Sequence, residues 1–232
     1  MSRAVGGPVA AVLLAATLAA CASPTDVASP GGVVIAMAEE SFPSTTAADW
    51  VTYADHVVVV TAVDEDEVLM AREDDDGNPP GERSFRRDMT LQVDDLVWSA
   101  PEPRHRAPSG SFVTGAPWTT VRAGVRTRVA IEDTPRIEVG HTYVVALVWR
   151  PAVEDPTAPS AAHWAWLGMD ALLPYDDAIG VGELEGTVRT EPLRVAEDDP
   201  QYSFEDAMAG RSVADLVAVL TGTNPVEREE YG

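Results

Sequence analysis

Carboxylates dominate the side chains that could do chemistry. Their densest runs are Asp64-Glu-Asp-Glu67 and Glu73-Asp-Asp-Asp76, the latter followed by Gly77-Asn78. Asp74 and Asp76 stand before Gly77 at the spacing of two ligands in a calcium loop. An EF-hand also needs a carboxylate at its first position and a bidentate Glu at its twelfth, and those positions fall on Arg72 and Arg83. What survives is a looser surface Ca²⁺ site at Asp74 and Asp76, set against the plainer reading of a solvated acidic loop that keeps a strand edge from pairing. His56, His105, His141 and His163 share no HxH, HExxH or H-x₃₋₅-H spacing, so a zinc site would have to be assembled from distant elements. No G-x-S-x-G nucleophile elbow occurs, and nothing places a carboxylate behind His105 near Ser109 and Ser111. Pairs such as Asp94-Asp95 and Asp176-Asp177 are what chance gives among 38 acidic residues, so a glycosidase dyad is not supported. Trp164 and Trp166 are two apart, so on a strand they share a face. Outward, they form an aromatic platform for a sugar ring or a protein; inward, they fill the core beside Trp98 and Trp149.

Composition narrows the chemistry further. All 16 basic residues are arginine, against 38 acidic ones, for a net charge of -22. Without lysine there is no phosphate-loop amine and no Schiff base. A chain this acidic also lacks the basic face that displaces counterions from nucleic acid, so no nucleic-acid partner is expected. The hydrophobic share of 45% is that of a globular protein. No cofactor is expected.

The N-terminus carries the most specific pattern. Arg3 precedes an apolar run from Val9 to Ala20, too short to span a bilayer but of signal-peptide length. It ends in Leu18-Ala19-Ala20-Cys21, which resembles the lipobox of bacterial lipoproteins. The resemblance implies cleavage before Cys21, lipid attachment to its sulfur, and a membrane-anchored protein on the extracytoplasmic face of the cell membrane. Cys21 is the only cysteine, so the mature chain would have no free thiol and no disulfide. Two or more acyl chains suffice for stable anchoring.

These residues need elements to hold them. The expected organisation is a signal peptide over 1–20, a lipidated N-terminus and flexible tether over 21–44, one β domain over 45–222 and a polar tail over 223–232. Thr45 or Thr46 can cap a short helix carrying Ala47, Trp50, Val51 and Ala54 on one stripe. His56–Val63 reads as a central strand, running into a long acidic hairpin loop or ragged strand end. Phe85–Trp98 alternates Met89, Leu91 and Val93 with polar neighbours, the period of a half-buried strand. Further strands are expected over 112–114, 118–121, 126–131 and 142–149, with one or two more over 163–173. Gly180–Arg189 reads as a hairpin, and Ser212 with Asp215 starts a C-terminal helix. The whole is mainly β: a single antiparallel barrel, closed or partly open, with a short helix before its first strand and a helix at its end.

The succession Ala54-Asp55-His56-Val57-Val58-Val59-Val60, then MTLQVDDLVW, IEVGHTYVVALV and MDALLPYDDAIG, resembles secreted bacterial domains with an oligonucleotide/oligosaccharide-binding (OB) barrel. That resemblance implies a fold rather than a function. The functional expectation is a non-catalytic, lipid-anchored domain that binds an envelope or extracellular protein, peptide or glycan. The alternatives are a metal-assisted hydrolase and a Ca-binding structural envelope protein.

Overall fold

The computed structural model describes residues 32–38, 42–70, 81–154, 160–193, 195–199 and 202–229. Cys21, Asp74 and Asp76 therefore lie outside the described residues.

Thr46 starts the first helix, α1 (Ala47–Tyr53). Its hydroxyl accepts from the Asp49 N–H, and the Asp49 carboxylate reaches back to the Thr46 N–H. The helix buries Trp50, Val51, Thr52 and Tyr53, and the Trp50 indole donates to the Ser44 carbonyl at 2.8 Å. The chain then enters β2 (His56–Leu69). Its neighbours in the sheet are β3 (Glu82–Ser99) and β6 (Thr142–Arg150), both antiparallel to it.

The unbroken apolar runs of β2 and β6 are explained by burial on both faces. Val57, Val59, Val144, Ala146 and Val148 pack under α1 and the C-terminal helices α2 (Phe204–Met208) and α3 (Val213–Gly222). Val58, Val60, Tyr143, Val145 and Leu147 point the other way, into the concavity of the curled sheet with Met89 and Leu91. A strand with one wet face would alternate; these two have no wet face over that length.

The main sheet runs β1-β5-β4-β3-β2-β6-β7, with β8 (Leu172–Pro174) also paired to β6. Here β1 is Val33–Ala36, β4 Ser111–Arg122, β5 Val125–Ile131 and β7 His163–Trp166. Three register shifts between β2 and β3 bend that long hairpin, and the sheet curls into an open half-barrel. The mainly β, partly open form agrees with the sequence reading, as does the C-terminal helix; the short helix expected before the first strand instead follows one, since β1 precedes α1. The pairing is not purely antiparallel: β1 lies parallel to β5, because it arrives from a separate N-terminal segment rather than through a hairpin.

Other differences have local causes. The acidic run 64–67, read as a hairpin loop or a ragged strand end, is the far part of β2, where Arg87 of β3 pairs with Glu65 and Arg126 of β5 with Glu67. The segments expected at 112–114 and 118–121 are one strand, β4, with a bulge between them opposite β3. Val33–Ala36, inside the stretch read as tether, pairs with β5. Val226 and Glu229, in the stretch read as a polar tail, donate backbone N–H groups to Thr52 and Tyr53 of α1. The hairpin over 180–189 is present as β9 (Gly182–Leu184) and β10 (Thr187–Arg189). Its two-residue turn, Glu185-Gly186, has positive φ at both positions. Among the described residues, no helix is long and apolar enough to cross a membrane.

Candidate functional site

Three places in the fold gather functional side chains. The first is a groove where the half-barrel stays open. Among the described residues, 111–118 of β4 pair in the sheet with β3 alone and β7 with β6 alone, and the two strands approach each other without pairing. Between them lies a cavity of about 340 Å³ lined by Thr114, Pro117, Trp118, His163 and Trp166, among others. Trp118 is 36% exposed. Trp166 lines the groove, whereas Trp164 is buried, edge-on to Trp149 at 5.0 Å and to His56 at 5.5 Å. The two tryptophans thus share the concave face, as their spacing requires, yet one fills the core and the other borders an opening. Trp118, which the sequence reading did not single out, is the groove's second indole.

The second place is a buried ionic cluster at the closed end of the concavity. Arg87, fully buried, pairs with both oxygens of Glu65 at 2.7 and 2.8 Å and donates to the carbonyls of Arg136, Ile137 and Pro117. Burial alone would lower its pKa. The Glu65 carboxylate, with Glu138 and Glu183 nearby, outweighs that and holds Arg87 above its usual value, while Arg87 draws Glu65 below its own. Arg136 donates to the Val129 carbonyl and to Thr119 and Glu138; its pKa is lowered by burial and by Arg87. Glu183 accepts from the N–H groups of Arg136, Ile137 and Gly186 and from the Tyr143 hydroxyl. Burial pushes both Glu183 and Tyr143 upward.

These bonds hold Ile137 at φ 57°, a left-handed conformation that costs a β-branched residue ~1–3 kcal/mol. Its N–H is fixed by Glu183, its carbonyl by Arg87, and its side chain is fully buried. With every Arg87 donor engaged, the cluster locks the loop before β6 to the barrel. Sequence spacing gave no sign of it, since its members come from β2, β3, the 133–138 loop, β6 and β9.

The third place is an acidic cavity of about 460 Å³ bordered by α2 and β9, with Asp133, Asp170, Asp199, Glu205 and Asp206 in its wall. Burial, then the charges of Asp170, Asp206 and Asp133, push the Glu205 carboxyl well above its ordinary range.

The four histidines are not brought together as ligands. His141 contacts Asp176, His163 contacts the Ala161 carbonyl, and His56 and His105 meet only through a backbone carbonyl. Among the described residues, no three His, Cys, Asp or Glu side chains have the geometry of a metal centre. Compared with protein-family models, curated proteins and solved structures, the chain has no match in any of the three.

Proposed function

We propose that the chain is a lipid-anchored extracytoplasmic binding domain that holds an extended peptide segment of an envelope or extracellular partner in the groove between β4 and β7. The observation that carries this is the opening where β4 meets β7, bordered by two indoles, Trp118 and Trp166. The two strands lie within 8 Å of each other there, too close for a strand to insert between them, so the segment would lie over the opening with its apolar side chains against the indoles. The charge of -22 favours a neutral or basic segment and repels anionic polymers. Anchoring rests on the Leu18-Ala19-Ala20-Cys21 sequence.

The connectivity also supports the OB reading. β2 is flanked by β3 and β6, β3 by β4, β6 by β7, and β4 approaches β7 across the opening. Barrels of that class bind ligands on one sheet face and its rim loops. For the metal-assisted hydrolase, no observation among the described residues adds support.

A peptide library selected on the full mature chain, with neutral oligosaccharides in parallel, tests the groove. Selected peptides should lose binding in Trp118→Ala and Trp166→Ala at unchanged fold, and should slow hydrogen exchange along β4 and β7. Oligosaccharide binding that depends on the same tryptophans would replace the peptide with a glycan. Binding indifferent to both tryptophans refutes the site. Intact mass of the membrane-fraction protein checks the anchor: Cys21 without acyl chains removes it.

A further inference from the structure

The cross-strand pair His56–Ser99 sits on the concave face, in the row that continues through Leu147 to Trp166. Neighbouring strands are about 4.8 Å apart, so Ser99 stands roughly 14 Å from Trp166 and belongs to a different place from the groove. Its surroundings are built rather than incidental. His56 is 3% exposed while Ser99 is exposed. The His56 Nε2 lies 2.8 Å from the His105 carbonyl oxygen, which can only accept, so this nitrogen carries the hydrogen. In the neutral ring Nδ1 then presents its lone pair, and the Ser99 hydroxyl donates to it at 2.9 Å.

The carbonyl that fixes this tautomer is itself held in place. Buried Asp55 accepts the Arg104 N–H at 2.7 Å and the Trp149 N–H at 2.8 Å. Its own carbonyl accepts the Ala100 N–H at 2.9 Å, and the Arg104 guanidinium donates to the Tyr53 carbonyl. The loop after Ser99 is thereby fastened at Ala100 and at Arg104, the residue directly before His105. The His105 ring stacks on Trp149 at 4.0 Å, and Trp164 stands edge-on to His56, so aromatic walls shield the imidazole.

A hydroxyl bonded to a base, with the base oriented by a third group, is the arrangement that activates a nucleophile. We infer that Ser99 and His56 form an acyl-transfer dyad, with the His105 carbonyl in the orienting place usually held by a carboxylate, acting on activated carboxylic esters. As the Ser99 Oγ attacks the ester carbonyl carbon, its proton passes to His56 Nδ1. The bond from that carbon to the leaving oxygen breaks, and the leaving alkoxide takes the proton from Nδ1. Water then attacks the acyl-serine by the same proton route, releasing the carboxylic acid and restoring Ser99. Asp55 is a positioning residue in this scheme. The inference goes beyond the binding role and does not rest on the groove.

The test treats the full mature chain with a fluorophosphonate and with p-nitrophenyl acetate, followed by intact mass and peptide mapping. One adduct is expected, at Ser99, absent in Ser99→Ala. Loss of the base should slow labelling in His56→Gln by about 100-fold or more. Because that variant removes a buried side chain and can misfold, Ser99→Cys gives an independent reading. A thiol beside the imidazole should keep reacting with iodoacetamide well below the pH at which an exposed reference, Ser111→Cys, falls off. No adduct on the folded wild-type chain, labelling of Ser99 no faster than Ser111, or one shared pH profile for the two thiols each overturns the inference.

Discussion

Replacing Arg87 by Met is the sharpest probe of what holds the half-barrel together. The side chain is fully buried, and its five donors serve both Glu65 oxygens and three backbone carbonyls. Met fills similar space but donates nothing, so Glu65 loses its partner and the Ile137 carbonyl loses the bond that helps hold a strained φ. Breaking a buried ion pair from one side costs about 3–5 kcal/mol. For ~180 ordered residues the unfolding entropy is about 0.4 kcal/mol/K, so a loss of 4 kcal/mol lowers Tm by roughly 10 °C. Calorimetry and urea titration measure both quantities. Removing Glu65 as well, in Arg87→Met with Glu65→Leu, takes away the orphaned charge and should recover part of the loss. A single variant within 1 kcal/mol of wild type, or a double variant no better than the single, would refute the assignment of the cluster as the lock on the 133–138 loop.

Glu205→Gln should raise Tm at neutral pH. The folded-state pKa lies above the ordinary carboxyl value, so the group destabilises the fold as pH rises from the unfolded toward the folded pKa. The gain should vanish below about pH 4, where the carboxyl is protonated in both states; a pH series of melting curves checks it. Glu65 has the opposite sign: its lowered pKa gives stability present above the ordinary value and lost as pH falls through the folded one, so Glu65→Gln should cost most at neutral pH. Gly168→Ala should destabilise by about 1–3 kcal/mol, since an added Cβ would stand 2.4 Å from the buried Ser44 hydroxyl and 3.0 Å from the Phe42 carbonyl. Trp50→Ala should cost about 3–5 kcal/mol in denaturant unfolding, because it empties the centre of the helix-side core and removes the indole's bond to the Ser44 carbonyl.

Local patterns carried much of this fold in readable form. The Thr46 and Ser212 caps, the double-faced apolar runs of β2 and β6, the alternation of Met89 and Leu91 and the glycine-marked hairpin at 185–186 each depend on neighbours a few residues away. Periodicity and capping chemistry report such things directly. The acidic run 64–67 stayed open between loop and strand end for the same reason: its carboxylates look solvent-bound until arginines on other strands neutralise them.

Position across the barrel is another matter. Trp164 and Trp166 have the same type and the same parity, and only the curl of the sheet makes one core and the other groove wall. The Arg87–Glu65–Arg136–Glu183 cluster joins residues more than a hundred positions apart, and Ser99 meets His56 across 43. Such contacts are set by strand register and by where a bent sheet fails to close, quantities that depend on all strands at once. The sequence alone indicated most of the segments that become strands and helices. The tertiary structure decided which charges face each other, which edges stay open, and which hydroxyl finds a base.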